Sequence, residues 1–389
     1  MIARTIVVVL AAGLLMVQIV RNAVVASDAS RNPDRAARLW SGHPAVEISG
    51  AMAAIARAAR GHRAVPASAF EALRHASVQE PLAPEPFLVR GVEAELSGDA
   101  LTAERAFQAA QWRDPRSLSA AYFLADRYLR AGDVGRGLPQ VATLARLARG
   151  GTSTVAPYLA AYARSPGNWP ALRSLFAAHP ELAGPALTQL AKSARSAPAV
   201  LALADPRQKA GDAPWLAPLL NSLIVAGDYG RAQAIWARAA GVHAGPYLYD
   251  ASFSDKSSPP PFNWALTSSA VGLAERQAGG RLHIIFYGQD DGILATQLLL
   301  LLPGRYRLSM QLMGDAARAR SLNWSIWCDK AAEPISSVTI DAAARGWQFT
   351  VPQGCRAQWL RLSGAAGELP QQADATIAGL KLEKAGAGA

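Results

Sequence analysis

The residues best suited to bind a ligand lie near the C-terminus, in two stretches where apolar residues alternate with other types. Side chains along a β-strand point to opposite faces in turn, so Leu360 and Leu362 mark an inward face, and Trp327, Trp359 and Arg361 point outward. An indole ring stacks on the C–H groups of a sugar, and a guanidinium donates hydrogen bonds to hydroxyls or carboxylates. These three outward residues form a candidate sugar-binding platform, unless a second layer or the helical part of the chain covers them.

The chain contains two cysteines: Cys328 ends one predicted strand, and Cys355 follows the Val-Pro-Gln-Gly run at the end of another. Two thiols are too few for a structural zinc site. They would stay reduced in the cytosol, and in an oxidising compartment they can pair. We expect a disulfide between them, which the chain-entropy model associates with about 3–4 kcal/mol of stabilisation.

No other group of residues in the sequence indicates catalysis or a cofactor. The six histidines lack the spacing of metal ligands, and the chain has neither a glycine loop ending in Gly-Lys nor a Gly-x-Ser-x-Gly elbow. The acidic pair Asp290 and Asp291 indicates a loop tip, with calcium binding as the alternative. The sequence therefore predicts no catalytic residue, no metal site and no cofactor.

An apolar segment begins the chain. Residues 5–20 carry no charge and lie between Arg4 and Arg21. This length falls between the core of a signal peptide, about 7–15 residues, and a spanning helix, about 20. We interpret residues 1–26 as an anchor in the bacterial inner membrane that leaves the bulk of the chain in the periplasm; the alternative is a signal segment cleaved after Ala26. The arginines that follow oppose this orientation, whereas the early position of the segment and the cysteine pair favour it.

Nearly all of the formal net charge of +10 lies in residues 1–249 of the 389-residue chain. Most of the positive charge is arginine in an alanine-rich background. We interpret it as guanidinium side chains whose aliphatic stems cover helix surfaces; contact with anionic lipid or acidic polysaccharide is the alternative. We expect no nucleic-acid partner. The length favours two or three domains, and the 51% hydrophobic content favours a folded chain.

A small residue followed by Gly-Asp marks the candidate hairpin turns at residues 97–99, 131–133 and 226–228. The first two copies are one period of about 34 residues apart, the length of a tetratricopeptide hairpin. Around the first copy, small residues allow close helix approach, an aromatic residue fills the groove and an Asp-Pro pair ends the second helix. The residues that fit the pattern are Gly91, Gly98, Asp99, Ala103, Phe107, Ala110 and Pro115 in the first copy, Gly132 and Asp133 in the second, and Gly227, Asp228, Ala232 and Trp236 in the third.

This pattern resembles the tetratricopeptide repeat (TPR) family. The resemblance implies an α-solenoid over residues 40–245, in which the repeat residues pack against one another and do not form a site. It also implies a concave surface that binds a peptide or a helix of a protein partner.

The pattern changes near the Ser-Ser-Pro-Pro-Pro run at residues 257–261. Helical spacing gives way to period-two alternation with turns, so residues 246–261 are predicted as a linker and 262–384 as a β-sandwich. The run LPGRYRLS at residues 302–309 resembles jelly-roll domains of the carbohydrate-binding-module and galactose-binding-like type. The candidate strands are 262–268, 271–275, 282–287, 295–302, 306–313, 322–328, 338–340, 347–351, 358–362 and 375–382.

The predicted fold class is multidomain, α then β: a solenoid of TPR-like hairpins followed by an antiparallel jelly roll. This architecture resembles accessory proteins of bacterial polysaccharide synthesis and export. We expect a non-enzymatic envelope scaffold whose solenoid binds a protein and whose sandwich binds glycan or an assembly subunit. The alternative is a carbohydrate-active enzyme with an accessory sugar-binding module, which would need paired carboxylates at a cleft.

Overall fold

A computed structural model describes residues 2–243, 245, 247–314, 319–368 and 371–385. Helices occupy the chain up to Ala240, and ten strands follow them, so the predicted order of α then β is confirmed. The chain forms two compact units, Met1–Val155 and Ala156–Ala389. The second unit combines the last helices with the whole β-sandwich.

The first unit consists of consecutive helices that pack in pairs. Small residues determine how closely a pair approaches: a Cβ added to Gly91 would lie 2.5 Å from the ring of Phe107. The Gly-Asp turns join the helices of two pairs, and Gly98 takes a positive φ of 79°, which favours glycine. The helices are α1 (Ile2–Asp28), α2 (Pro33–Trp40), α3 (Pro44–Arg60), α4 (Ala67–Gln79), α5 (Glu85–Leu96), α6 (Ala100–Arg113), α7 (Leu118–Arg130) and α8 (Val134–Leu147).

Helix α1 has two different parts. Among the described residues, Ile6–Asp28 is long and apolar enough to cross a membrane, and its apolar side chains up to Val20 are exposed. The last two turns pack against the helices that follow: Val25 is fully buried, and the Arg21 guanidinium lies 4.5 Å from the Trp40 ring centroid and donates to the carbonyl of Leu39 at 2.9 Å. The end of α1 is therefore part of the folded helical unit.

The helices of the second unit lead into the sandwich. Helix α11 begins at Pro180, because proline is well tolerated in the first turn of a helix. Helix α14 begins after the third Gly-Asp turn and ends at Gly241 in a left-handed conformation. The helices are α9 (Gly151–Tyr162, which contains the boundary between the units), α10 (Trp169–Ala178), α11 (Pro180–Ala191), α12 (Ala197–Leu203), α13 (Leu216–Val225) and α14 (Tyr229–Ala240).

Two five-stranded antiparallel sheets form the sandwich, in the orders β1-β4-β9-β6-β7 and β2-β3-β10-β5-β8. Each strand matches one that alternation predicts; the main difference is at residue 340, where β7 has ended and a short helix, α15 (Ile340–Ala344), begins. Large apolar side chains such as Trp324, Tyr306 and Phe286 fill the core. The strands are β1 (Ala265–Leu266), β2 (Gly272–Gln277), β3 (Arg281–Phe286), β4 (Gly292–Leu299), β5 (Gly304–Met313), β6 (Leu322–Cys328), β7 (Pro334–Thr339), β8 (Trp347–Val351), β9 (Gln358–Gly364) and β10 (Ala373–Lys384).

The segment predicted as a linker, residues 246–261, connects α14 to β1 and is packed along most of its described length; Pro246 lies outside the described residues. Phe253 contributes to the sandwich core. The fully buried Gln297 of β4 exchanges two hydrogen bonds with the backbone of Tyr249, at 2.9 and 3.3 Å. Trp236 of α14 donates from Nε1 to the Pro259 carbonyl at 2.7 Å. These contacts join the last hairpin to the sandwich within one compact unit.

Candidate ligand-binding face of the sandwich

The three candidate sugar-binding residues lie on the outward face of the β1-β4-β9-β6-β7 sheet. On β9, Leu360 and Leu362 are fully buried, and Trp359 and Arg361, which alternate with them, are half-buried on the opposite face, as the alternation predicts. The register pairs Trp359 with Trp327 of β6 directly across the strands. Neighbouring strands lie about 4.8 Å apart, so the sheet itself brings these residues together.

Arg361 and Trp327 form a cation–π pair, with the guanidinium carbon 4.9 Å from the indole centroid. The indole is held by a hydrogen bond from its Nε1 to Ser325 Oγ at 2.9 Å. Because the guanidinium covers one face of the ring, that face supports the arginine and is not open for sugar stacking. Burial lowers the pKa of Arg361, and the carboxylate of Asp329 opposes this shift. The guanidinium is therefore partly withdrawn from water.

Trp359 has a different environment. Its Nε1 donates to Asp329 Oδ1 at 3.0 Å, and the other oxygen of that carboxylate accepts from the Tyr229 hydroxyl of α14 at 2.7 Å. Burial and the Asp329 carboxylate raise the pKa of Tyr229 to about 12. Trp359 is thus connected through Asp329 to the helical hairpin. For Trp359, the alternative that the helical part of the chain covers the candidate platform therefore applies.

A groove of about 370 Å³ runs along the face beside Trp327 and Arg361. Small polar side chains from β6, β7 and β9 line it, and Asp291 lies at one end with its carboxylate accepting from the Ala366 N–H at 2.7 Å. The polar lining residues are Asn323, Ser325, Ser337 and Ser363. These serines and the asparagine were not predicted as site residues, although on β6 and β9 the alternation that placed the aromatic residues also places them.

A disulfide joins Cys328 at the end of β6 to Cys355 in the loop after β8, with Cα atoms 5.5 Å apart. The buried Gln358 donates from Nε2 to the Cys355 carbonyl at 2.8 Å. The disulfide therefore connects strand β6 with the segment that enters β9 and lies immediately beside Asp329.

The residues of the repeat pattern pack, cap helices or form turns. Asp99 Oδ1 and Asp133 Oδ1 accept from backbone N–H groups three residues on, each at 3.1 Å, and so cap α6 and α8; Asp228 makes no such bond. Pro115 lies in the turn between α6 and α7. Gly98, Gly132 and Gly227 take positive φ, and Gly91, Ala103, Phe107, Ala110, Ala232 and Trp236 are buried.

The described residues contain no group of three or more His, Cys, Asp or Glu side chains placed to hold a metal ion. His283 is the histidine with the clearest carboxylate partners: it lies between Asp374 at 2.9 Å and Glu275 at 3.3 Å. Burial disfavours its charged form, but hydrogen bonds to the two carboxylates outweigh burial and raise the pKa of His283. This ion-pair cluster belongs to the other sheet, so it does not contribute to the groove.

No family model matches this chain, and no curated protein matches it. Among solved structures, the chain is similar to "Crystal structure of accessory secretory protein 1,2 and 3 in Streptococcus pneumoniae", with 12% identity, a TM-score of 0.26 and coverage of 37% of this chain and 99% of that one. It is also similar to "MamA RS-1 ArsTM double mutant", with 17% identity, a TM-score of 0.23 and coverage of 50% and 92%. Similarities this weak define neither a family nor a function.

Proposed function

We propose that this protein is a non-enzymatic scaffold of the bacterial envelope, in which helix α1 is a membrane anchor, TPR-like hairpins bind a protein partner and the sandwich binds a glycan. The observation that carries the proposal is the outward groove of the sandwich, where Arg361 stacks on Trp327 beside a row of small hydroxyl and amide side chains. By analogy of architecture, the glycan would be an exopolysaccharide during its synthesis or export.

The chemistry of the groove favours a saccharide over an apolar ligand. Serine hydroxyls and the Asn323 amide both donate and accept hydrogen bonds, as sugar hydroxyls do. The exposed edge of Trp327 adds apolar surface for C–H groups. The volume of the groove, about 370 Å³, lies within the range typical of small-molecule sites.

The proposed location rests on α1 and on the disulfide. Cleavage after Ala26 would remove Arg21, Asn22 and Val25, all of which contact α2 or the start of α3: Val25 is buried among them, and Asn22 Oδ1 lies 2.8 Å from His43 Nε2. We propose that α1 is retained as an anchor for this reason. Disulfides persist in oxidising compartments such as the periplasm, which agrees with a Cys328–Cys355 bond.

The proposed protein partner of the helical unit is supported by exposed aromatic side chains. Trp112 near the end of α6 is 73% exposed, and Tyr122 of α7 is 53% exposed. Aromatic residues are enriched at protein interfaces because they bury a large area at low conformational cost. Together with the resemblance of the hairpins to TPR units, this favours a peptide or helix as the bound partner.

Glycan binding is tested with the full chain in lipid nanodiscs, applied to a panel of immobilised bacterial polysaccharides. We expect at least one polysaccharide to bind, Trp327→Ala to weaken binding and Trp112→Ala, a matched exposed tryptophan of the other unit, to leave it unchanged. New reducing ends after prolonged incubation would show that the protein cleaves polysaccharide. This result would contradict the scaffold and favour a carbohydrate-active enzyme. Binding to no member of the panel would overturn the glycan role.

The anchor is tested by the intact mass of the protein recovered from bacterial membranes. A retained α1 gives a chain that begins at or next to Met1, in the membrane fraction, and resists carbonate extraction. A chain that begins at Ser27 in the soluble periplasmic fraction would show that the segment is a cleaved signal.

A further inference from the structure

We infer that the groove on the outward face of the sandwich recognises the carboxylate of an acidic saccharide, such as a uronic acid, through the guanidinium of Arg361. The inference rests on the proposed glycan-binding function and specifies the class of its ligand. Its starting point is that Arg361 is a half-buried cation on a ligand-accessible face and has no carboxylate partner among the residues that the structure describes.

The immediate neighbours of Arg361 leave its charge unbalanced. Across the strands it is in register with Ser325 of β6 and Thr296 of β4, and both are neutral. Within the described parts of the chain, no carboxylate lies within salt-bridge distance of its guanidinium. Asp329, the carboxylate that acts on it from further away, already accepts from Trp359 and Tyr229. An anionic group supplied by a ligand would balance the charge of Arg361.

The geometry favours a planar anion. A guanidinium presents two parallel N–H groups that match the two oxygens of a carboxylate, and such paired bonds are among the stronger hydrogen bonds in proteins. The Trp327 ring supports one face of Arg361 and limits its rotamers, which reduces the entropy lost on binding. Burial already lowers the pKa of Arg361, so part of its hydration is lost before the ligand arrives.

The other end of the groove limits the choice of anion. Gly292 pairs with Gly364, three residues beyond Arg361 on β9, and Asp291 lies one residue further, so it is about 13 Å from Arg361 along the strand. Asp291 accepts hydrogen bonds from hydroxyls and repels a second negative charge. A uronic acid residue carries both a carboxylate for Arg361 and hydroxyls for Asp291, whereas a polymer without hydroxyls, such as polyphosphate, presents only like charge to Asp291.

The test compares a polyuronate with its carboxyl-reduced derivative, which has the same backbone without charge. Binding of both is measured to the full chain in nanodiscs, at two salt concentrations. We expect carboxyl reduction to weaken binding at least about tenfold, since hydrogen bonds to charged groups contribute about 1.5–3 kcal/mol. Arg361→Gln should lower affinity for the polyuronate by a similar factor and leave the reduced polymer bound as before.

Two variants and one polymer serve as controls. Arg356→Gln removes a sandwich arginine that lies near Tyr229 and not in the groove, and should have no effect. Arg361→Lys keeps the charge but loses the paired donors, so it should restore only part of the affinity. Dextran sulfate, which has no carboxylate and in which sulfates replace many of the hydroxyls, should bind weakly and without dependence on Arg361.

Each of the other possible results decides whether the inference holds. Equal binding of both polymers, or an Arg361→Gln variant with full affinity for the polyuronate, overturns the inference and leaves the proposed glycan binding intact. Binding of neither polymer by the wild type overturns the inference for this ligand class; the wider polysaccharide panel then decides the proposed function. If Arg361→Gln does not fold, the comparison of the two polymers on the wild-type chain still decides the question.

Discussion

The first and third Gly-Asp hairpins, α5–α6 and α13–α14, share a local sequence pattern but have different neighbours. Gly98 and Gly227 take almost the same positive φ, 79° and 78°. The aromatic residue of the second helix then differs in its surroundings. Phe107 stacks on Phe123 of the next hairpin, with centroids 4.6 Å apart and planes 2° apart. The turn is thus determined locally, and the aromatic position determines what the hairpin packs against.

In the third hairpin that position is Trp236, which packs against the sandwich. Its ring lies 4.9 Å from Tyr249 and 5.5 Å from Phe262, centroid to centroid. Its Nε1 donates to the carbonyl of Pro259. An indole has a larger apolar area than a phenyl ring and a donor at its edge, so Trp236 can both pack against the loop and donate to its Pro259 carbonyl. Through Trp236, the third hairpin packs against the β-sandwich and supports it.

The largest effect is expected from Trp236→Ala, because this fully buried side chain belongs to both the hairpin and the start of the sandwich. Loss of its packing should lower the free energy of unfolding by about 3–5 kcal/mol. Hydrogen exchange should become faster in α13, α14 and β4. The matched variant Phe107→Ala should cost a similar amount but leave exchange in the sandwich unchanged. Equal protection of β4 in the two variants would contradict the proposed support.

The next largest effect is expected from removal of the disulfide, which lies in the second unit. The double variant Cys328→Ser, Cys355→Ser opens a loop with a sequence separation of 27. In the chain-entropy model this costs about 3–4 kcal/mol. Urea unfolding of the wild type with reductant should match the double variant, and the transition of the helical unit should not move. A reductant-sensitive first unit would contradict the assignment, since both cysteines lie in the second.

Much of this fold could be predicted from sequence, because its signals are local. Strand β9 alternates buried and half-buried residues along its whole length, which is the pattern that the sequence shows. The Gly-Asp turns likewise depend on residues within a few positions. Pro180 at the start of α11 follows a local rule as well, because in the first turn of a helix its missing N–H costs nothing.

The candidate site could be predicted only to the level of a face. Alternation places Trp327, Trp359 and Arg361 outward, but it does not determine the register that pairs the two tryptophans. Nor does it reveal that Trp359 is connected through Asp329 to Tyr229, which lies 100 positions before that aspartate. Such contacts depend on tertiary packing, and no local pattern encodes them.

A smaller effect is expected from the aspartates at the helix starts, which differ in their capping hydrogen bonds between the two hairpins. Asp99 accepts from the Thr102 N–H at 3.1 Å, whereas Asp228 makes no capping hydrogen bond and lies 4.0 Å from Arg231. Asp99→Ala should cost about 0.5–2 kcal/mol, and Asp228→Ala less than about 0.5 kcal/mol. Thermal unfolding of the two variants checks this difference. Equal costs would mean that Asp228 also caps its helix in solution.

The smallest effect is expected from Tyr229→Phe, which removes one hydrogen bond between α14 and the sandwich. The Tyr229 hydroxyl donates to Asp329 at 2.7 Å, and the phenyl ring of the variant keeps the packing. The cost should be about 0.5–1.5 kcal/mol at neutral pH. It should be smaller than that of Trp236→Ala because Asp329 still accepts from Trp359.

The pH dependence of Tyr229→Phe tests whether the Tyr229 hydroxyl is held in its protonated form at this contact in the folded state. Burial and Asp329 raise the pKa of Tyr229 from 10.0 to about 12, so the folded state holds this proton more tightly than the unfolded state. The resulting stabilisation is complete below pH 10 and is lost as the pH rises from 10 through 12, where the unfolded chain ionises first. The free energy of unfolding of the wild type should therefore fall more steeply than that of the variant across this range. Parallel curves would show that the Tyr229 hydroxyl does not hold α14 against the sandwich in solution.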